Sequence, residues 1–444
     1  MAAHVTTSVQ ILDIEQCGFD TVTLSGGAID TPRSGQAQDG YALAIQGWAL
    51  GRHGTPADLE IRCGDQVVGR ISANLPRPDV AIHHGNLVHA GYSGYALTVS
   101  ALDLPPTFEM SVEAVGTYAR RRIGTIRGRR RPLPAAANDD LQPVMLTTLG
   151  RTGSSVLMAC LRAHPAVLCY GSFPYETRQL SYWSEVFTSL SRPRSAVQPI
   201  QSNGLTPYWW LGDPTMPVHA LIGTDPAFDW ALGDNLRALA VSCRDRISGF
   251  YRWFAEREGR PEARYFAEKL MPVPDVQTRL LELYPRAREV FLVRDPRDML
   301  ASIFAFNRKR GDAGFGRAVA ASDVEFVAQI AHAMDTLAEA WRRRGAGAHL
   351  VRYESLMLHE AETLQALFDY LGVDNAPATI DAVRQDVAAT DPSLVGAHRT
   401  VASPAATVGR WRTDLAADVI EAANALLAPS LHAFGYDEAA VVKA

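Results

Sequence analysis

Residues 144–161 read VMLTTLGRTGSSVLMACL. An apolar run suited to a buried strand leads into a short turn, and an apolar helical stretch follows it. The turn carries Arg151, Thr152, Gly153, Ser154 and Ser155. Such a turn aims free backbone N–H groups and hydroxyls at one point, and the positive end of the helix dipole adds to them. It is expected to bind an anion, a phosphate above all. It is not a Walker A loop, which needs wider glycine spacing and a Lys before the hydroxyl residue, and this argues against an ATPase or GTPase. Taken alone, a Gly/Ser turn after a strand is also read as a plain structural turn.

Further along stands VFLVRDPRDMLASIFAF, residues 290–306. Arg294 ends a predicted strand and Pro296 suits the first turn of a helix. Ser302 follows about two helical turns later, which puts it on the face at which that helix begins, so the two side chains can share one anion. The competing reading pairs Arg294 with Asp295 or Asp298. A third strand, HLVRYE, precedes the helical EAETLQALFDYLG. Strands each followed by a helix imply βαβ units and a parallel sheet, so the fold class expected from residue 143 onward is α/β.

Residues 1–118 differ. YALAIQGWAL (41–50), ADLEIRCGDQVVGRI (57–71), YALTVSAL (95–102) and FEMSVEAVG (108–116) are short alternating or β-branched runs between turn residues. They predict a small antiparallel sandwich. Residues 119–142 contain RRRIGTIRGRRR, with seven Arg, and then PLPAAANDDLQP. This stretch reads as a solvated linker; a polybasic surface for lipid, glycan or nucleic acid is the other reading. The organisation expected is therefore a β-rich domain (1–118), an Arg-rich linker (119–142) and an α/β domain (143–444) able to fold alone.

The chain has 444 residues, 47% hydrophobic and 20% charged, with 43 basic and 48 acidic side chains and a net charge of −5. That excludes an overall cationic coat for nucleic acid. Five Cys, with no C-x-x-C pair, suit neither a disulfide framework nor a zinc site, and a reducing, cytoplasmic setting is expected. No apolar stretch is long enough for a membrane span, and MAAHVTTSVQILDIE lacks the pattern of a secretory signal. Only three of the basic residues are Lys: Lys269, Lys309 and Lys443. Trp183, Trp209, Trp210, Trp230 and Trp253 crowd one region, read either as packing for a helical insertion or as the lining of an acceptor cleft.

GRTGSS after a strand, VRDPRDMLAS, VRYESL and TVGRWR, in that order, resemble the sulfotransferases that use 3′-phosphoadenosine 5′-phosphosulfate (PAPS). The resemblance spans roughly 143–438 and implies a P-loop-like parallel-sheet domain catalysing sulfuryl transfer, with PAPS as co-substrate, 3′-phosphoadenosine 5′-phosphate (PAP) as product and no metal. It implies that Arg151, Thr152, Gly153, Ser154 and Ser155 hold the 5′ end, and that Arg294 and Ser302 hold the 3′-phosphate. Tyr353 is implied to lie near the adenine, and Gly409, Arg410 and Trp411 to form a closing loop. FPYETR is similar to the catalytic Glu segment of protein-tyrosine sulfotransferases and makes Glu176 the expected general base. Lys269 and Arg151 are expected to neutralise charge on the leaving phosphate. A bare pair between Glu176 and Arg178 stays open, as does a surface position for Lys269, and His164 is the competing base.

GWAL and LPRPDVA in the first domain resemble β-rich modules attached to bacterial glycan-modifying transferases. A carbohydrate or glycolipid acceptor is therefore expected, with peptide tyrosine and small alcohols as alternatives. A nucleotide-binding module without catalysis and a kinase-like phosphotransferase are the rivals from other classes.

Overall fold

Alternating burial along short strands builds the first part of the chain. In β1 (Val9–Gln16), β2 (Leu24–Thr31), β3 (Ala37–Gln38), β4 (Ala42–Gly51), β5 (Asp58–Cys63), β6 (Gln66–Ser72), β7 (Gly94–Ser100), β8 (Thr107–Val115) and β9 (Arg120–Arg130), every pairing is antiparallel. One sheet runs β3-β1-β9-β8-β5-β6 and a second runs β2-β4-β7. β8 shows the rule: Phe108, Met110, Val112 and Ala114 are buried while the residues between them face outward. Ile29 of β2 reaches Gly124 of β9, and Leu97 of β7 reaches Gly69 of β6, so the two sheets face each other as a sandwich. The computed structural model describes residues 7–18, 24–52, 55–116, 120–133, 141–172, 175–191, 220, 222–389 and 405–436.

The Arg-rich tract corrects the sequence reading: residues 120–130 are not a linker but β9, paired on both sides by β1 and β8. The remainder of the expected linker falls partly outside the described residues, at 119 and 134–140. Net charge alone misjudges this tract, because neighbouring strands supply its counterions. Arg127 meets Asp13 at 3.3 Å, Glu15 at 2.9 Å and Glu109 at 2.8 Å, and Arg120 meets Glu60 at 2.8 Å. Ile123 and Ile126 meanwhile fill the interior.

Five buried or half-buried strands form the parallel sheet: β10 (Gln142–Thr148), β11 (Val167–Leu168), β12 (Tyr265–Leu270), β13 (Arg288–Val293) and β14 (Ala348–Arg352), in the order β11-β12-β10-β13-β14. Period-two alternation divides their side chains between two cores. Val290 and Leu292 pack with Leu157 and Leu161 of the Ser154–Ala163 helix, while Phe291 and Val293 pack with Met299, Ile303 and Phe326. All five strands end at one edge, the side of a parallel sheet at which ligands bind. Leu146 lies opposite Lys269 and Thr148 opposite Leu292, so the ends of β10, β12 and β13 are neighbours there.

The chain divides into two compact units that depart from the boundary expected at 142. One joins Met1–Ala136 to Trp183–Asp245 and Thr278–Leu283; the other comprises Ala137–Tyr182, Arg246–Gln277 and Tyr284–Ala444. Among the described residues no helix is long and apolar enough to cross a membrane.

Candidate active site

β10 delivers the chain into a tight turn before the Ser154–Ala163 helix. Arg151 and Gly153 both take positive φ, 64° and 87°. For Arg151 that backbone costs about 1–2 kcal/mol, whereas glycine adopts it freely. Gly153 is needed on a second count, since a Cβ there would run into the ring of Tyr353. The Thr152 hydroxyl stays inside the turn, donating to the Leu149 carbonyl at 2.9 Å and sharing a 2.6 Å bond with Thr148. Ser154 and Ser155 open the helix.

The turn and the end of β13 meet. Arg151 donates from Nε to the Ser302 hydroxyl at 3.2 Å, and its guanidinium lies 4.6 Å from the centre of the Phe306 ring. Arg294 donates to the Arg151 carbonyl at 3.1 Å and to the Thr407 carbonyl at 2.8 Å, and it stacks 4.4 Å above Tyr353. Tyr353 and Thr407 share a 2.9 Å hydroxyl bond. Burial pulls the Arg151 guanidinium down to about 10, and repulsion from Arg294 and Arg410 adds to the effect. Arg294 is 4% exposed and its Nε has no hydrogen-bond partner. A buried charged donor left unmatched marks a place for an anion.

The acids of the RDPRD run hold other groups. Asp295 caps its helix and pairs with Arg297 at 2.8 Å. Asp298 accepts the backbone N–H groups of Gly409 at 2.6 Å and Trp411 at 2.9 Å, so it fixes the late loop. Burial pushes its carboxyl up to about 6. Arg410 pairs with Asp414, and the Trp411 ring is buried between Arg297 and Arg412 at 4.2 and 4.4 Å. Trp411 thus serves the core, while its backbone belongs to the loop.

At the end of β12 the Lys269 ammonium lies 2.9 Å from one carboxylate oxygen of Glu176, and Arg178 lies 3.4 Å from the other. Glu176 is partly open to solvent. It sits between Tyr175 and Arg178, non-glycine residues with φ of 64° and 57°. Phe173 and Pro174 of the same motif lie outside the described residues, as do Trp209 and Trp210. Trp253 and Trp230 are exposed and Trp183 is half-buried.

His164 is engaged elsewhere. It is 1% exposed, accepts the Ala166 N–H at Nδ1, and holds the Asp374 carbonyl at 2.9 Å through Nε2. Burial lowers its pKa, and both ring nitrogens are occupied by backbone. Two acids prove central: Asp298, expected only as a partner for Arg294, and Glu268, which carries no expectation from the sequence. Asp298 holds the late loop, and Glu268, one residue before Lys269, accepts the Thr177 hydroxyl at 2.7 Å and the Leu180 N–H at 3.1 Å. A lone acid in a strand carries no signal of such a role until the fold brings its partners to it.

The model described as the sulfotransferase family matches residues 143–377. Among solved structures, the sulfotransferase domain of the Synechococcus PCC 7002 olefin synthase is 18% identical, covering 66% of this chain and 98% of its own, with a TM-score of 0.36. Sulfotransferase STF9 from Mycobacterium avium is 15% identical over 67% of this chain and 78% of its own, with a TM-score of 0.35. Mouse sulfotransferase SULT7A1, complexed with PAP, is 12% identical over 67% of this chain and 85% of its own, with a TM-score of 0.34. No curated protein matches. With a parallel sheet whose strand ends gather Arg151, Arg294 and Ser302, and with the family pattern matched over more than half its length, this chain belongs to the sulfotransferase family.

Proposed function

We propose that the protein moves a sulfuryl group from PAPS to a hydroxyl or amine of a carbohydrate or glycolipid, by in-line displacement at sulfur. The observation that carries the reading is the convergence of Arg151, Ser302 and the buried, incompletely bonded Arg294 at one sheet edge. A nucleotide with phosphates at two positions suits that cluster. Arg294 and Ser302 take the 3′-phosphate, while Arg151 and the backbone N–H groups of Thr152, Gly153, Ser154 and Ser155 take the 5′ end. Tyr353 lies beside the adenine, and the loop through Gly409, Arg410 and Trp411 closes over it.

Glu176 accepts the acceptor's proton as its oxygen or nitrogen bonds to sulfur and the bond from sulfur to the 5′-phosphate oxygen breaks. Charge then builds on that leaving oxygen, where Lys269 and Arg151 neutralise it. The 2.9 Å contact keeps Lys269 and Glu176 together at the end of β12. Tyr170, Tyr182 and Trp253 are exposed on the segments around Glu176, and their flat faces suit the C–H faces of sugar rings.

Glu176→Gln tests the base. The amide keeps the size but takes no proton, so turnover falls by about 10² to 10⁴ while calorimetric PAP affinity stays within about twofold. Near-normal turnover overturns the assignment. A mass-shift screen with PAPS against glycans, tyrosine peptides and small alcohols identifies the acceptor. PAP binding without transfer to any of them favours a nucleotide-binding module, and ATP turnover would favour the phosphotransferase.

A further inference from the structure

We infer that Glu268 is a positioning residue for Glu176, its buried carboxylate fixing the backbone that carries the base. The inference rests on the reading of Glu176 as that base. Residues 175–178 form neither helix nor strand, and two of the four adopt left-handed φ, a conformation that lasts only where surrounding bonds enforce it. Glu268 supplies bonds on either side of Arg178, at Thr177 and Leu180. It is 1% exposed; one oxygen accepts the hydroxyls of Thr177 and Tyr251, and both oxygens accept the Leu180 N–H at 3.1 Å. The Thr177 and Tyr251 hydroxyl oxygens lie 2.7 Å apart, so the two groups and the carboxylate form one cluster.

Tyr251 is itself 1% exposed and stacked 3.9 Å from Phe266 of β12. The segment is therefore tied to one strand at two successive residues: Lys269 holds the Glu176 carboxylate, and Glu268 holds the chain just after it. Burial raises the Glu268 pKa, while the bonds from Tyr251 and Thr177 oppose that rise, as expected for a carboxylate occupied by donors.

Glu268→Gln puts an amide N–H donor in place of one acceptor oxygen, facing the Leu180 N–H, and loosens the segment. Turnover, read as PAP formed from PAPS with the acceptor found by the screen or with water, is expected to fall by about ten- to a hundredfold at unchanged PAP affinity. Tyr251→Phe keeps the ring and removes the hydroxyl that meets Glu268 and Thr177; it is expected to lower turnover by about three- to tenfold, and it decides the matter should Glu268→Gln not fold. In a Glu176→Gln background the Tyr251 change is expected to do almost nothing further, since the residue it positions is already disabled. A merely structural role would instead lower PAP affinity and turnover together, or multiply through the double variant, and either result overturns the inference. Wild-type turnover of Tyr251→Phe beside a crippled Glu176→Gln overturns it alone. Near-normal Glu176→Gln overturns the base reading and this inference with it.

Discussion

Arg294 is held by two carbonyls and a ring, yet its Nε lacks a partner. An unmatched charged donor costs about 1–3 kcal/mol in the ligand-free protein, and an arriving phosphate recovers it. Arg294→Ala is expected to weaken PAP binding by about ten- to a hundredfold in calorimetry, the value of one charged hydrogen bond. Arg294→Lys restores little, because a point charge cannot span the carbonyls of Arg151 and Thr407 as a planar fork does. Unchanged affinity in Arg294→Ala removes this residue from the anion site. The eight-residue spacing from Arg294 to Ser302 was legible because a strand end and two helical turns fix it locally. Glu268 was not, since its partners come from residues 177, 180 and 251, which only the tertiary fold gathers.

At the scale of elements, the Pro296–Arg310 helix does two jobs. It offers Ser302 to the turn, and from its first turn Asp298 holds Gly409 and Trp411 by their backbone. The helix start was plain from Pro296, but Asp298 looked like a partner for Arg294, and its tie to a loop more than a hundred residues away had no local sign. Its carboxyl stands near 6 through burial, above the ordinary 3.8, so the folded state takes up the proton before the unfolded chain does. Between about pH 4 and 6 this group therefore stabilises the fold as pH falls, and once ionised above 6 it costs on the order of 3 kcal/mol. Asp298→Asn has no such dependence. Wild type is expected to gain stability over Asp298→Asn as pH drops from 7 to about 4.5 in denaturant titrations, whereas a constant difference would contradict this. At neutral pH the variant is expected to bind PAP severalfold more weakly, because an amide offers one acceptor to two N–H groups.

Across the whole molecule, the βαβ order and the β-rich start were readable from periodicity, but the boundary between them was not. The first compact unit draws on residues 183–245 and 278–283. Within it Arg279, 1% exposed, is bonded by Asp103 at 2.7 Å and by Ser100, Glu282 pairs with Arg130, and Phe228 and Leu232 pack on Ala42. Deleting residues 1–142 removes each of those partners. Stripping the acid from a buried Arg costs about 3–5 kcal/mol by itself, so the 143–444 fragment is expected to be insoluble or unfolded by circular dichroism. A soluble fragment with native-like ellipticity and PAP binding would restore the simpler division.

The Arg-bearing strand β9 also governs how its sheet is assembled. Arg127 stands directly opposite Asp13 on one side and Glu109 on the other, while Ile126 points into the sandwich. Sliding β9 by a single residue would exchange those faces, driving a guanidinium into the apolar interior and leaving three carboxylates without their cation. Misalignment is thus penalised chiefly by burial of a charge, which added salt does not relieve, and less by loss of surface attraction, which it does. The alternation of arginine with isoleucine and glycine works as an alignment code, read once while the strands pair.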